Sequence, residues 1–406
     1  MTRRIPVPAS PLVCTLLAAC TALSVIGCSG EQVSGPADSG AAQATGGTSA
    51  AVVLSFHQVS SSHDNNHTCG VTSDNRAFCW GTNTGGLGDG VTYQSYTPVA
   101  VAGGLRFRQL STGNGYTCGV TTDDRAYCWG NNLSGQLGDG TTNRRLTPTR
   151  VAGGLAFRHV SAALDHTCGL TRDDRAYCWG ENNFGQLGDG TTTRHLRPVP
   201  VSGARTYRLV SAGFLHSCAV TVANKPFCWG SNEHGQLGDG STVKKRLVPV
   251  PVADGRAYRQ LSAGWDHTCA VTTDARGFCW GSGRQGQIGD GRTFRRDRPR
   301  AVSGRLAFAR LSAGVFHTCG ETTDRLAYCW GSNTYGGLGD GTETPRLRPV
   351  AVTGGLRFSQ VSAGGFYTCG VSTDQAAYCW GNNFGGPLGD GTTTDRNAPV
   401  PVAAPQ

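Results

Sequence analysis

Short stretches mixing apolar and polar residues, broken every few positions by glycine, run through most of this chain. Residues 107–111 (FRQLS) set apolar among polar positions and lead into a glycine-bearing turn, which predicts one short strand. Residues 116–121 (YTCGVT) and 125–129 (RAYCW) flank a turn at Asp123 and Asp124 and predict a hairpin. In that hairpin Cys118, Val120, Ala126 and Cys128 share one face, and Thr117, Gly119, Tyr127 and Trp129 share the other. Neither face carries a charge at the strand centres, as expected of a sheet covered on both sides. A loop rich in glycine and asparagine follows Gly130, and residues 148–151 (PTRV) supply a fourth strand.

This unit occurs seven times. Its tryptophans, Trp80, Trp129, Trp179, Trp229, Trp280, Trp330 and Trp380, are spaced by 49 to 51 residues, the mark of one repeated supersecondary element. Seven units of four antiparallel strands with both faces buried predict an all-β fold, a seven-bladed β-propeller over residues 51–403. Composition agrees: 60 glycines, one methionine and 16% charged residues favour short strands over helices. The array begins on a first strand (residues 54–60) and stops after a proline strand (399–402). If each proline strand joins the first strand that follows it, the two ends of the chain complete one blade together.

Of 17 cysteines, fourteen form seven pairs ten positions apart. These are Cys69/Cys79, Cys118/Cys128, Cys168/Cys178, Cys218/Cys228, Cys269/Cys279, Cys319/Cys329 and Cys369/Cys379. Each pair brackets its hairpin turn symmetrically, so the partners stand opposite one another at disulfide distance, and one bridge per repeat is expected. Even pairing of this kind fits an exported protein.

The remaining cysteines, Cys14, Cys20 and Cys28, lie in an N-terminal segment with Arg3 and Arg4 ahead of an apolar run. Residues 1–27 read as a signal peptide, with an uncleaved membrane anchor as the alternative. Val25-Ile26-Gly27-Cys28 resembles the lipobox of bacterial lipoproteins, which makes Cys28 the lipidated first residue of the mature chain. Residues 28–50 lack periodicity and large side chains and read as a flexible tether. The expected location is the bacterial cell envelope, with the membrane reached through the lipid alone.

The net charge of +9 allows attraction to an anionic surface or polysaccharide without pointing to nucleic acid. Nucleophile-elbow, phosphate-loop and zinc-protease motifs are absent from the sequence, so an enzyme is not expected and no cofactor is implied. The aspartates Asp89, Asp139, Asp189, Asp239, Asp290, Asp340 and Asp390 are followed after six residues by Ser95, Arg145, His195, Lys245, Arg296, Arg346 and Arg396. One carboxylate per site supplies too few oxygens for calcium, so Asx-turns with a basic partner are expected. His67, His166, His216, His267 and His317 share a position that Tyr116 and Tyr367 fill in the other copies. Tyrosine in their place favours a hydrogen-bonding role over a metal.

The motif Trp-Gly-x-Asn-x-x-Gly-Gln-Leu-Gly, as in residues 179–188 and 229–238, resembles the regulator of chromosome condensation repeat over residues 54–402. The resemblance implies a seven-bladed propeller. It also implies a range of functions: members exchange nucleotide on a small GTPase, bind chromatin, sense ultraviolet light or inhibit β-lactamases outside the cell. A guanine-nucleotide exchange factor-like regulator is therefore the alternative function.

Comparison of the copies singles out the two residues before the histidine position, which vary most: Asn65-Asn66, Asn114-Gly115, Leu164-Asp165, Phe214-Leu215, Trp265-Asp266, Val315-Phe316 and Gly365-Phe366. They fall between first and second strands and so emerge at one end of a propeller. Leu164, Phe214, Leu215, Trp265, Phe316 and Phe366 are the expected partner-binding residues, the alternative being that they fold inward and plug the channel. A basic patch is expected from Lys244, Lys245 and Arg246 together with Arg292, Arg295 and Arg296 in the same loop of the next copy. The resulting expectation is a monomeric, non-enzymatic propeller that binds an unknown protein partner, with inhibition of an exported enzyme as one form of that role.

Overall fold

The computed structural model describes residues 54–64 and 66–405; the expected signal peptide, the expected lipidation of Cys28 and the expected tether fall outside the described residues. Among those residues no helix is long and apolar enough to cross a membrane. Seven four-stranded antiparallel sheets follow one another along the chain: blade 1 (56–100), blade 2 (107–150), blade 3 (157–200), blade 4 (207–251), blade 5 (258–301), blade 6 (308–351) and blade 7 (358–401). In blade 2 the strands are Phe107–Thr112, Tyr116–Thr121, Ala126–Gly130 and Arg145–Arg150. The fourth strand starts before the expected proline, because Gly130 pairs with Arg145 across a register shift.

The hairpin register is the expected one, with Cys118 directly opposite Cys128. All seven expected bridges are formed, one in the middle of each blade. In blades 1 to 4 they join Cys69 to Cys79, Cys118 to Cys128, Cys168 to Cys178 and Cys218 to Cys228. In blades 5 to 7 they join Cys269 to Cys279, Cys319 to Cys329 and Cys369 to Cys379. The bridged Cα atoms are 4.0–4.1 Å apart throughout, because each pair faces across one rung of its hairpin.

The cysteine face of each blade packs on the tryptophan face of the next. Cys118, Val120 and Cys128 thus lie against Phe157, Val160 and Trp179 in one buried cluster. All seven repeat tryptophans are fully buried in these seams. Trp129, Trp179, Trp229, Trp280 and Trp330 each donate from Nε1 to a loop carbonyl of the preceding blade at 2.9 Å. The first glycine of each Gly-Asp-Gly step lies against that indole at positive φ: a Cβ on Gly138 would sit 2.6 Å from Trp179 Nε1.

Most polar groups in the seams are paired from blade to blade, although Nδ1 of His67, His166, His216 and His267 and Nε1 of Trp380 are buried with no partner among the described residues. His67, His166, His216, His267 and His317 place Nε2 2.8–2.9 Å from Thr117, Ser217, Thr268, Thr318 and Thr368 of the next blade. Those hydroxyls already donate to carbonyls of the blade before, so they accept from histidine and fix the Nε2–H tautomer. Tyr116 and Tyr367 do the equivalent with their hydroxyls, donating to the carbonyls of His166 and His67 at 2.7 Å. Burial holds the His166, His216 and His267 rings neutral, with pKa lowered to about 3.

The first strand of each blade lines the channel with one unpaired edge, a liability in an open sheet. Serines cover it. Ser60, Ser111, Ser161, Ser211, Ser262, Ser312 and Ser362 each accept the backbone N–H of the following blade's first strand at 2.9–3.1 Å. The last of these, Ser362 to Ser61 N, closes the ring between blades 7 and 1. Closure by a strand exchanged between the chain ends does not occur. The proline strand pairs with the third strand of its own repeat, Cys379 opposite Val400, so every blade is one uninterrupted repeat.

Candidate functional site

Strand order puts the loops between first and second strands and those between third and fourth strands at the same end. Backbone bonds tie them together within a blade, as Glu181 N to Asp165 O at 2.8 Å and Asn131 N to Gly115 O at 2.9 Å. The outer of the two loops is shaped by its motif residues. Asn132 receives Leu137 N–H on Oδ1 and donates from Nδ2 to the Thr141 and Asn143 carbonyls, while Asp139 accepts Thr141 N–H at 2.9 Å and meets Arg145 at 2.8 Å. Thr141 hydroxyl and backbone hydrogen bonds and the Arg145 cation hold Asp139 below the usual carboxylate range despite partial burial. The same Asx-turn with a basic partner recurs at Asp189, Asp290, Asp340 and Asp390. In blade 4 the partner is Arg246 at 3.0 Å and not Lys245, because this loop is one residue longer.

The expected partner-binding residues gather on the inner ring of this end. Leu164, Phe214, Leu215, Trp265, Phe316 and Phe366 are all half-buried. Phe214 and Trp265, from adjacent blades, stack with centroids 3.5 Å apart and planes at 14°. Phe316 packs on Phe366 at 5.2 Å, and Tyr335 meets Phe366 edge-on at 5.7 Å. Backbone bonds pass from loop to loop beneath them: Phe214 N to Gly264 O, Trp265 N to Gly314 O and Val315 N to Gly364 O, at 3.0–3.2 Å. None of these aromatic residues lines the channel cavity of about 490 Å³, whose walls are the first strands. In blade 1 the corresponding loop is two residues longer, and His63 reaches over to donate to the Ala313 carbonyl of blade 6, 3.3 Å away.

Sequence comparison missed the outer ring. Leu133 is 75% exposed, Phe384 84% and Tyr335 41%, all at the fourth or fifth position after the repeat tryptophan. These positions differ from copy to copy as the inner loops do, and that variability is the signal that would have found them. At the foot of the rim Asp165 and Asp266 are half-buried, their pKa raised by desolvation; Asp266 lies 3.6 Å from His234.

The expected basic patch lies on the same end and divides into two kinds of residue. Arg246 and Arg296 are held by Asp239 and Asp290 at 3.0 and 2.6 Å, and Arg295 by Asp297. Lys244, Lys245 and Arg292 are exposed and make no ion pair among the described residues. Lys244 and Arg295 share a hollow with His234 and Glu233, and Arg295 Nη1 donates to the Glu233 carbonyl at 2.6 Å, so the two blades do meet there.

A model of the regulator of chromosome condensation (RCC1) repeat matches residues 123–170, 173–220, 226–271, 274–320 and 326–371, and a second model of the same repeat matches seven segments from 57–86 to 358–386. No curated protein matches. Among solved structures, human WBSCR16 is 21% identical with a TM-score of 0.74, covering 81% of this chain and 95% of that one. Yeast RCC1 (Prp20), solved with Kap60 bound, is 20% identical with a TM-score of 0.72, covering 80% and 83%. The ectodomain of the Physcomitrella patens receptor kinase CR4 is 22% identical with a TM-score of 0.54, covering 81% and 74%. At such identities these structures show a shared fold alone. The repeat matches, seven in number and in register with the seven blades, place this chain in the RCC1 repeat family.

Proposed function

We propose that this propeller is a non-enzymatic protein-binding module acting outside the cytoplasm, and that its partner docks on the loop end carrying Phe214 and Trp265. One observation carries the reading: two aromatic clusters, Phe214/Trp265 and Phe316/Phe366/Tyr335, are held half-open on a single rim by hydrogen-bonded loops. Large apolar rings kept partly in water by a rigid scaffold are typical anchors of a protein interface. The exposed Lys244, Lys245 and Arg292 at the edge of that rim favour a partner with acidic groups around an apolar centre.

Seven buried disulfides suit an oxidising compartment. Together with the lipobox-like Val25 to Cys28 segment, they support a lipid-anchored position in the cell envelope. Yeast Prp20p has been studied for its binding to Gsp1p and histones, which supports a protein as the class of ligand. Inhibition of an exported enzyme is one form of this role. Nucleotide exchange on a GTPase is the rival and rests on family membership.

The test is affinity capture from envelope extract with the wild type and a Phe214→Ala, Trp265→Ala, Phe316→Ala variant. Loss of a captured protein with the variant supports the loop-end reading, and unchanged capture overturns it. Nucleotide release from a captured GTPase, accelerated by the wild type, would decide for exchange.

A further inference from the structure

The loops between third and fourth strands share one design. The residue four places after the aspartate of the Gly-Asp-Gly step gives its carbonyl to the loop's asparagine, at 3.0–3.1 Å for Asn143, Thr193, Val243 and Thr344. With the backbone held inward, the side chain at that place is exposed. In blade 5 Gly283 replaces the asparagine and the Phe294 carbonyl packs on it, 2.2 Å from where a Cβ would stand. Blades 2, 3, 6 and 7 put Asn or Thr at this place, as suits a side chain in water. Blades 4 and 5 put Val243 and Phe294, 46% and 62% exposed, and set cations beside them: Lys244 and Lys245 after the first, Arg292 and Arg295 around the second. Tyr93 of blade 1 is more open still, but residues 91–105 carry no charge.

Most of these cations are surplus to ion pairing. Lys244, Lys245, Arg292, Arg298 and Arg300 are exposed and pair with no acid among the described residues. Arg298 reaches back across the seam, its Nη1 donating to the Ala253 carbonyl beyond blade 4 at 3.2 Å, so positive charge continues from the loop of blade 4 to the outer strand of blade 5. Blades 4 and 5 together hold thirteen Lys and Arg against six Asp and Glu, whereas blades 7 and 1, across the ring, hold two against six. A disk polarised in this way turns one edge toward a negatively charged plane.

We propose that the edge of the propeller at blades 4 and 5 rests on an anionic lipid bilayer, with Phe294 and Val243 entering the headgroup boundary and the cations around them facing lipid phosphates. Apolar side chains projecting among Lys and Arg suit that boundary, because the ring leaves water there while the charges stay among polar headgroups. A soluble polyanion answers to the cations alone and gives no reason for Phe294 to stand where other blades have Asn or Thr. The cations that favour acidic groups on a docked protein serve equally toward lipid; Phe294 and the polarity of the ring assign them to the bilayer. With the disk on edge, the inner ring of Phe214 and Trp265 looks along the membrane and stays open to a partner, so the two readings stand or fall separately.

The test is flotation of the disulfide-bonded chain from residue 28 onward, carrying Cys28→Ser so that no acyl chain anchors it, with vesicles of two compositions. It should bind vesicles of equal parts phosphatidylcholine and phosphatidylglycerol, less as salt rises, and not vesicles of phosphatidylcholine alone. Lys244→Gln with Lys245→Gln should weaken binding about tenfold or more, and Phe294→Ala should weaken it several-fold. Arg144→Gln with Arg150→Gln, which takes the same charge from exposed positions of blade 2, should leave it nearly unchanged. In Phe294→Trp, tryptophan emission should move to shorter wavelength on the anionic vesicles and not with a soluble polyanion. Wild-type thermal unfolding of each variant ties the losses to the surface. Equal binding to both vesicles or to neither, equal loss from the blade 2 pair, or Phe294→Ala binding and Phe294→Trp emission both unmoved overturns the proposal.

Discussion

The seams between blades and the two rims of the channel are built from the same seven repeats, yet they tolerate change very differently. Every seam repeats the serine bond, and the His or Tyr bond to a hydroxyl changes only to an equivalent, as Ser217 stands for Thr and Tyr116 for His. At the rims the copies diverge freely, from Gly365 to Trp265 at one end and from Asp174 to Ala275 at the other. The ring must close on itself, so a seam that failed in one place would leave two apolar sheet faces open to water, while a rim residue answers only to what binds it. The glutamine bond is less constant: His159, Leu209 and Arg310 stand where Gln58, Gln109, Gln260 and Gln360 accept the next blade's N–H, and the third of these shows how a loss is met. Gln260 accepts Leu311 N–H, but in blade 6 Arg310 occupies that position and can accept nothing. Glu321, standing where other blades have Val or Leu, brings a buried carboxylate toward Arg310 and the Val361 N–H; burial pushes its pKa up to about 7.

The largest effect expected from this contrast is at a seam tryptophan. Trp229→Ala empties the junction of blades 3 and 4 and leaves the Gln186 carbonyl with the Ser217 hydroxyl as its one remaining donor, and should cost about 3–5 kcal/mol in guanidinium unfolding. An equal loss on truncating a rim aromatic would erase the distinction. Replacing Cys218 and Cys228 together by alanine comes next, at about 2–3 kcal/mol, since the bridge spans only ten positions.

Histidine chemistry gives a smaller effect that can be read against pH. The seam histidines are neutral when folded, with pKa lowered by burial to about 4 at His67 and His317 and about 3 at His166, His216 and His267. Their ordinary value is 6.5, so above it neither folded nor unfolded chain is protonated and stability is level. Below it the unfolded chain takes up protons that the folded state refuses. Stability therefore falls as pH drops from 6.5 toward the folded values, by about 1.4 kcal/mol per pH unit for each histidine once fully engaged. His216→Tyr, the residue that blades 2 and 7 use, should lower that slope by one proton, measured as the pH dependence of the unfolding midpoint. A slope that does not change would mean that His216 is not held neutral.

Much of this is legible from the chain because repetition amplifies weak signals. The cysteine register, the blade count and the aspartate turns each appear seven times, so the pattern survives an exception such as Ser95. The closure is hidden for a physical reason: serines and glutamines at alternating positions of a strand look like a wet face, whereas Ser362 and Gln360 are the bonds that join blade 7 to blade 1. Lys245 stands in for Arg246 in the sequence pattern because an offset of six ignores a one-residue insertion. His63 is invisible in kind, since its contact depends on a loop crossing to blade 6.

The smallest effect is at the rim, and it sharpens the comparison most. Trp265 is the single half-buried tryptophan among eight, the other seven being sealed in the seams. A water-soluble quencher should therefore reach Trp265 and spare the rest. Phe214→Ala removes the ring stacked on it, at 3.5 Å, and should lower stability by about 1 kcal/mol or less, the usual worth of an aromatic pair. The same change should make one tryptophan more quenchable and shift its emission to longer wavelength. If quenching were spread over several tryptophans, the seams would be opening and the rim would not be independent of them. If it stays with one, the stacked pair can be altered without disturbing the ring, as a surface free to follow its partner requires.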